Sequence, residues 1–142
     1  VMTVGIAYVL VEELLRERLP RRWAHTQGVA ACARKLAPLV DDRAKALEAA
    51  AVLHDIGYAP PLVNTGFRPL DGARHLRTIG SVDDRVARLV ANHSFALLEA
   101  EQRGLREALE AEFPVVDDEQ LADALVYCDM TTTPDGAPDN CR

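Results

Sequence analysis

Apolar positions recur three and four residues apart along most of this chain, the spacing of helices that bury one face. Ile6, Leu10, Leu14 and Leu15 mark a first helix over residues 4–18, which Pro20 ends. His25, Val29, Cys32, Ala33 and Leu36 share one face of a second helix, 22–37, broken off by Pro38 and the pair Asp41-Asp42. A third, 43–55, has Asp42 as its expected N-cap and carries Leu47, Ala50, Ala51 and His54 on one stripe. Gly57 is its expected C-terminal stop. The stretch 59–70, with Pro60, Pro61, Asn64, Gly66 and Pro69, reads as an irregular loop. A short helix over 71–79 follows, capped by Asp71 and stopped by Gly80. Next comes a helix over 83–93 with Val86, Leu89, Val90 and His93 on one stripe, then a charged helix over 96–112 ended by Pro114. A last helix, 118–130, turns Leu121, Ala124, Leu125, Cys128 and Asp129 inward, and Thr131 to Arg142 reads as a polar, turn-like tail. Short connections between such helices predict an all-α, bundle-like single domain over residues 1–142, with about six to seven helices.

Composition agrees with that reading. Aromatic residues make up only 5% of a chain rich in Ala, Leu, Val, Arg and Glu, which favours helices over strands. The net charge of −6 argues against a protein that coats DNA or RNA, which needs a basic surface. A small nucleotide stays open, because a metal and a few local arginines can hold phosphates. Cys32, Cys128 and Cys141 are odd in number and form no CxxC pair, so neither a disulfide framework nor a zinc ribbon is expected. The apolar run Val4 to Val11 is too short to span a bilayer, and no basic segment precedes it. The expectation is a cytoplasmic protein with no membrane partner, able to form an oligomer.

The chemistry lies among the inward positions. Four helices place an imidazole or a carboxylate there: His25, the pair His54-Asp55, His93 and Asp129. Taken singly, an inward histidine is most simply a core residue bonded to a backbone carbonyl. Asp129, however, stands at the negative end of its helix, where a carboxylate is unfavourable without a cation nearby. Separate partners for every one of these buried groups would be costly to arrange, whereas one shared divalent metal satisfies them together. Mixed imidazole and carboxylate donors suit Fe, Mn, Co, Ni or Zn better than Mg.

The pattern His25 … His54-Asp55 … Asp129, with its central His-Asp-Ile-Gly, resembles the HD-domain superfamily of metal-dependent phosphohydrolases. The resemblance implies an HD-like helical bundle in which His25, His54, Asp55 and Asp129 hold one divalent metal. HD domains often continue with another helix after that last Asp, which is expected beyond this sequence. Some members carry a second ion on two further histidines. His93 fits the second of these, while Arg68 stands where the tetraphosphatase-like pattern has the first. His75 is then either a substitute second-metal ligand or a surface or substrate-side residue. The implied activity is hydrolysis of a nucleotide or related phosphate ester by a metal-bound hydroxide, with one or two ions and with Asp55 and His93 in catalytic positions. Arg68, Arg74 and Arg77 follow the motif and are candidates for the substrate phosphate, with solvated surface roles as the plain alternative. Tyr58 and Trp23 could stack on a base. No Gly-Tyr-Pro follows the motif, which counts against cyclic-dinucleotide cleavage. The alternative is a non-catalytic HD module that keeps the metal as a structural staple or senses a nucleotide.

Overall fold

The computed structural model describes residues 4–138; Cys141 and the end of the expected tail lie outside them. Its α-helices are α1 (Val4–Leu15), α2 (Pro20–Lys35), α3 (Ala37–Val40), α4 (Ala44–Leu53), α5 (Arg68–Ile79), α6 (Asp84–Asn92), α7 (Ala96–Gln102), α8 (Arg106–Glu112) and α9 (Glu119–Met130). Among the described residues there is no strand, only an isolated bridge between Thr132 and Pro138. No helix among them is long and apolar enough to cross a membrane.

The all-α expectation holds, and the boundaries move for physical reasons. Pro20 opens α2 rather than merely ending α1, and Pro69 likewise sits in the first turn of α5. Proline's missing N–H costs nothing in a first turn, where that donor has no helical acceptor. The segment expected as one helix over 96–112 is two, because Gly104 adopts φ +73° and turns the chain between α7 and α8. Asp42 falls in a 3-10 turn and caps nothing; α4 follows Arg43 with no side-chain cap. By contrast Asp83 and Asp118 cap α6 and α9, accepting from the backbone N–H of Arg85 and Leu121. Arg43 grips both carboxylate oxygens of Asp118 at 2.7 Å, tying the start of α4 to the start of α9.

Asp71 is not a cap either. Its carboxylate is buried and accepts from the backbone N–H of Asn64, Thr65 and Gly66 and from the Thr65 hydroxyl. The loop before α5 is thereby folded back over the helix's first turn. Burial opposes this charge, but those hydrogen bonds win and hold the Asp71 carboxyl below its ordinary range.

At the centre is α4, buried at Ala46 and Leu47 and at every residue from Ala49 to Leu53. It packs against α1, α2, α6 and α9. Its run Ala49-Ala50-Ala51 presents little side-chain bulk, which lets neighbouring helices come close. Consequently the C-terminal end of α4 is a point where α2, α6 and α9 can all deliver side chains.

Candidate metal centre

His54 is the C-cap of α4, and His93 is the C-cap of α6. Each turns its Nδ1–H back to the carbonyl three residues earlier: His54 to Ala51 at 2.7 Å, His93 to Val90 at 2.6 Å. A carbonyl only accepts, so this fixes the proton on Nδ1 and aims Nε2 away from the helix. His25, within α2, makes the same bond to a different element, its Nδ1 donating to the Thr133 carbonyl at 3.0 Å.

Two glycines make that last contact fit. A Cβ on Gly28 would lie 2.2 Å from the Gly136 carbonyl oxygen, and a Cβ on Gly136 would lie 2.2 Å from the Ala24 carbonyl oxygen. The turn after α9 can therefore lie directly on α2. Gly57 acts similarly beside the motif. It is not a left-handed helix stop, since α4 ends at Leu53; a Cβ there would lie 2.0 Å from the Arg68 carbonyl oxygen. The absence of a side chain at Gly57 lets the start of α5 close over the site.

The three Nε2 atoms converge on two carboxylates. His25 Nε2 is 2.9 Å from Asp129 Oδ1, and His54 Nε2 is 3.4 Å from that same oxygen and 3.3 Å from Asp55 Oδ2. His93 Nε2 lies 3.9 Å from Asp55 Oδ1. Asp129 Oδ2 is held by the Ser94 hydroxyl at 2.6 Å, and Asp55 Oδ2 by Arg22 Nη1 at 3.1 Å. The imidazoles stand edge to face, His54 to His25 at 5.5 Å and His54 to His93 at 5.1 Å between ring centres.

Electrostatics and hydrogen bonding both call for a cation here. Burial alone would lower the His54 pKa, but the charges of Asp55 and Asp129 outweigh it and push the imidazole up to about 10. Burial likewise opposes ionisation of both carboxyls. His54, with His93 and Arg22, nonetheless holds Asp55 far below the carboxylate range; hydrogen bonds from His25 and Ser94 and the nearby charge of His54 do the same for Asp129. His93 is pushed down, first by burial and then by the charge on His54. His54 Nε2 is fully buried and lies 3.3 Å from Asp55 Oδ2 and 3.4 Å from Asp129 Oδ1, yet it meets neither in hydrogen-bond geometry. Such an atom needs positive charge between it and the carboxylates, supplied either by the proton that the raised pKa implies or by a metal ion in that proton's place.

A divalent ion meets that need. Ligand bonds of about 2.1 Å put neighbouring donors on one ion roughly 3–3.5 Å apart, close to most of the separations here. Two overlapping sets qualify, His25 with His54 and Asp55, and His54 with His93 and Asp129; within each, the donor atoms lie within 4.8 Å of one another. His54 belongs to both. Each histidine already has its Nδ1 anchored, the arrangement that orients metal-binding imidazoles generally.

Over these groups lies a cleft of about 270 Å³ that reaches Asp55, His93 and Asp129 and is rimmed by Arg22, Arg68 and Arg103. Arg68 lies at the mouth, bonded to the Gly66 carbonyl at 2.9 Å with its Nε buried and unpartnered. Arg74 and Arg77 are placed elsewhere. Arg74 forms a two-pronged ion pair with Glu112 at 2.8 and 2.6 Å, and Arg77 binds the Glu112 carbonyl and Asp84. His75 is half-buried on α5 and belongs neither to the His/Asp cluster nor to the cleft wall. The ring of Tyr58 carries the guanidinium groups of Arg22 at 4.0 Å and Arg68 at 4.8 Å, so cations stack where a base was expected. Trp23 packs against the core.

Arg22, Ser94, Arg103 and Thr133 are the residues that sequence reasoning missed. Arg22 did carry a signal: it lies three residues before His25 and so on the same side of α2. The other three carried none.

The coordinates thus define an all-α protein whose helices bring three histidines and two aspartates to one buried point suited to a divalent metal. The model of the HD domain family matches residues 22–127, and the chain belongs to that family, whose members are generally metal-dependent hydrolases. Searches among curated proteins and among solved structures returned no match.

Proposed function

We propose that this HD domain hydrolyses a nucleotide or a related phosphate ester, using one or two divalent transition-metal ions held by His25, His54, Asp55, His93 and Asp129. One observation carries the reading: the buried Nε2 of His54, held by no well-formed hydrogen bond, faces two carboxylates at the base of a cleft rimmed by arginines. A bound ion of this kind supplies a more acidic water near neutral pH and withdraws charge from a phosphoryl oxygen. The chain's own residues do the rest. His25, His54 and His93, each tied to a carbonyl, present fixed Nε2 atoms at no cost in reorganisation. Arg22, lodged between Asp55 and Tyr58, and Arg68 beside it offer guanidinium N–H groups to phosphate oxygens entering the cleft. Asp55 and His93 line the cleft floor, where they meet substrate directly.

The test joins metal content to turnover. Protein purified without chelator should contain one or two transition-metal ions per chain by elemental analysis. It should also release phosphate from at least one of a set of nucleoside mono-, di- and triphosphates, dinucleoside polyphosphates and simple esters. His54→Ala, which removes a donor common to both ligand sets, should lose the metal and the turnover together. A metal-loaded protein that turns over none of these and unfolds on chelation would refute the enzyme and leave the ion as a structural staple.

A further inference from the structure

We infer that the substrate carries a second phosphate beyond the one attacked, and that this group lies in a separate cleft at the α1–α2 corner. The inference rests on the metal-side cleft being a substrate site, as proposed above. The second cleft, about 610 Å³, is walled by Arg18, Arg21 and Arg22 together with Leu19, Tyr58 and Pro134. It shares Arg22 and Tyr58 with the metal-side cleft, so the two adjoin at the stack those residues make. Small-molecule sites generally enclose roughly 300–1,000 Å³. At about 270 Å³ the metal-side cleft alone falls just below that range. The remainder of a larger substrate has this adjoining space to enter.

Charge favours the same occupant. The chain as a whole is acidic, at −6, yet three arginines wall this corner. Arg21 and Arg22 lie in the first turn of α2, where the helix dipole disfavours cations and which contains no acidic residue and no side-chain cap of its own. Arg21 has only a loose partner in Asp135, at 3.3 Å with both side chains 75% exposed, and Arg18 has no carboxylate partner among the described residues. A phosphate group relieves Arg18 and Arg21, with Arg22, already paired with Asp55 at 3.1 Å, between the two clefts, while Leu19 and Pro134 give an organic moiety an apolar surface. The chemical class is therefore a nucleoside diphosphate or triphosphate, or another ester with a second phosphate, in preference to a simple monophosphate.

Calorimetric titration of metal-loaded protein with a nucleoside monophosphate and the matching triphosphate tests this without requiring turnover. Wild type should bind the triphosphate about tenfold or more tighter, and Arg18→Ala/Arg21→Ala should close most of that gap. Arg21→Glu should close it further, and Arg21→Lys should keep most of it. Chelation of metal by the triphosphate is the same in every variant and cancels from the comparison. A wild type with no preference for the triphosphate, or a gap that survives the double substitution, overturns the inference. Hydrolysis of monophosphates with no such gap sinks this inference alone; a gap without any hydrolysis sinks the proposed reaction alone.

Discussion

Ser94 allows the metal centre and the backbone that supports it to be tested separately. Its hydroxyl donates to Asp129 Oδ2 at 2.6 Å, leaving Oδ1 to face His25 and His54. Its backbone sits at φ +49°, in the left-handed region that a residue with a Cβ enters at a cost of about 1–2 kcal/mol. Ser94→Ala removes the hydroxyl and keeps that cost, whereas Ser94→Gly removes both. A hydrogen bond to an ionised group contributes about 1.5–3 kcal/mol. Loss of an outer partner of a metal ligand weakens metal affinity about 10–100-fold, equivalent to about 1.4–2.7 kcal/mol. The two estimates coincide. Both variants should therefore bind Mn or Zn about 10–100-fold more weakly, as read by competition with a chromophoric chelator. Urea unfolding of the metal-free proteins should find the glycine variant about 1 kcal/mol more stable than the alanine variant. Affinity within twofold of wild type in Ser94→Ala would show that the hydroxyl does not hold the carboxylate for metal. Equal stability of the two variants would refute the strain argument.

Two further predictions concern how the site is framed. Gly57→Ala places a Cβ 2.0 Å from the Arg68 carbonyl oxygen, so it should destabilise by about 3 kcal/mol or more in urea unfolding; Gly80→Ala, at φ +79° with open space around it, should cost only about 1–2 kcal/mol. Asp71, whose pKa is lowered in the folded state, contributes stability that is present above about pH 4 and lost as pH falls through its folded value. Asp71→Asn should thus lower stability at pH 7 by about 2 kcal/mol and flatten the acid limb of the stability profile. An unchanged acid limb would mean that other carboxyls set it.

The helices and most of the clustered imidazoles and carboxylates could be read from the chain because they depend on one local rule. A 3.6-residue period puts His25, His54 and His93 on the stripes of α2, α4 and α6 that also carry Val29, Leu47 and Val90, and it does the same for Asp129 beside Leu125 on α9. The misreadings share a different origin. Pro69 has the residue type of a helix breaker and the position of a helix starter, and only tertiary placement decides between them. Gly104 and Ser94 turn the chain through positive φ, and nothing in a hydrophobic period announces that. The Thr133 carbonyl is a backbone group, so its service to His25 leaves no mark on residue identity. Arg74 and Arg77 show the converse error: cations near a motif look available for phosphate until Glu112 and Asp84 are found beside them.

The anchoring of His25 also has a consequence for the order of events during synthesis. Asp129, which closes the donor set, and Thr133, which fixes the His25 ring, both follow the segment 22–127 that defines the family. A growing chain that has released α1 through α8 therefore exposes His25, His54, Asp55 and His93 with neither the final carboxylate nor the ring anchor in place. The candidate donor set is complete, and the His25 ring fixed, only once the turn around Gly136 has docked on Gly28. The last part of the described chain to leave the ribosome is thus the part that completes the candidate donor set.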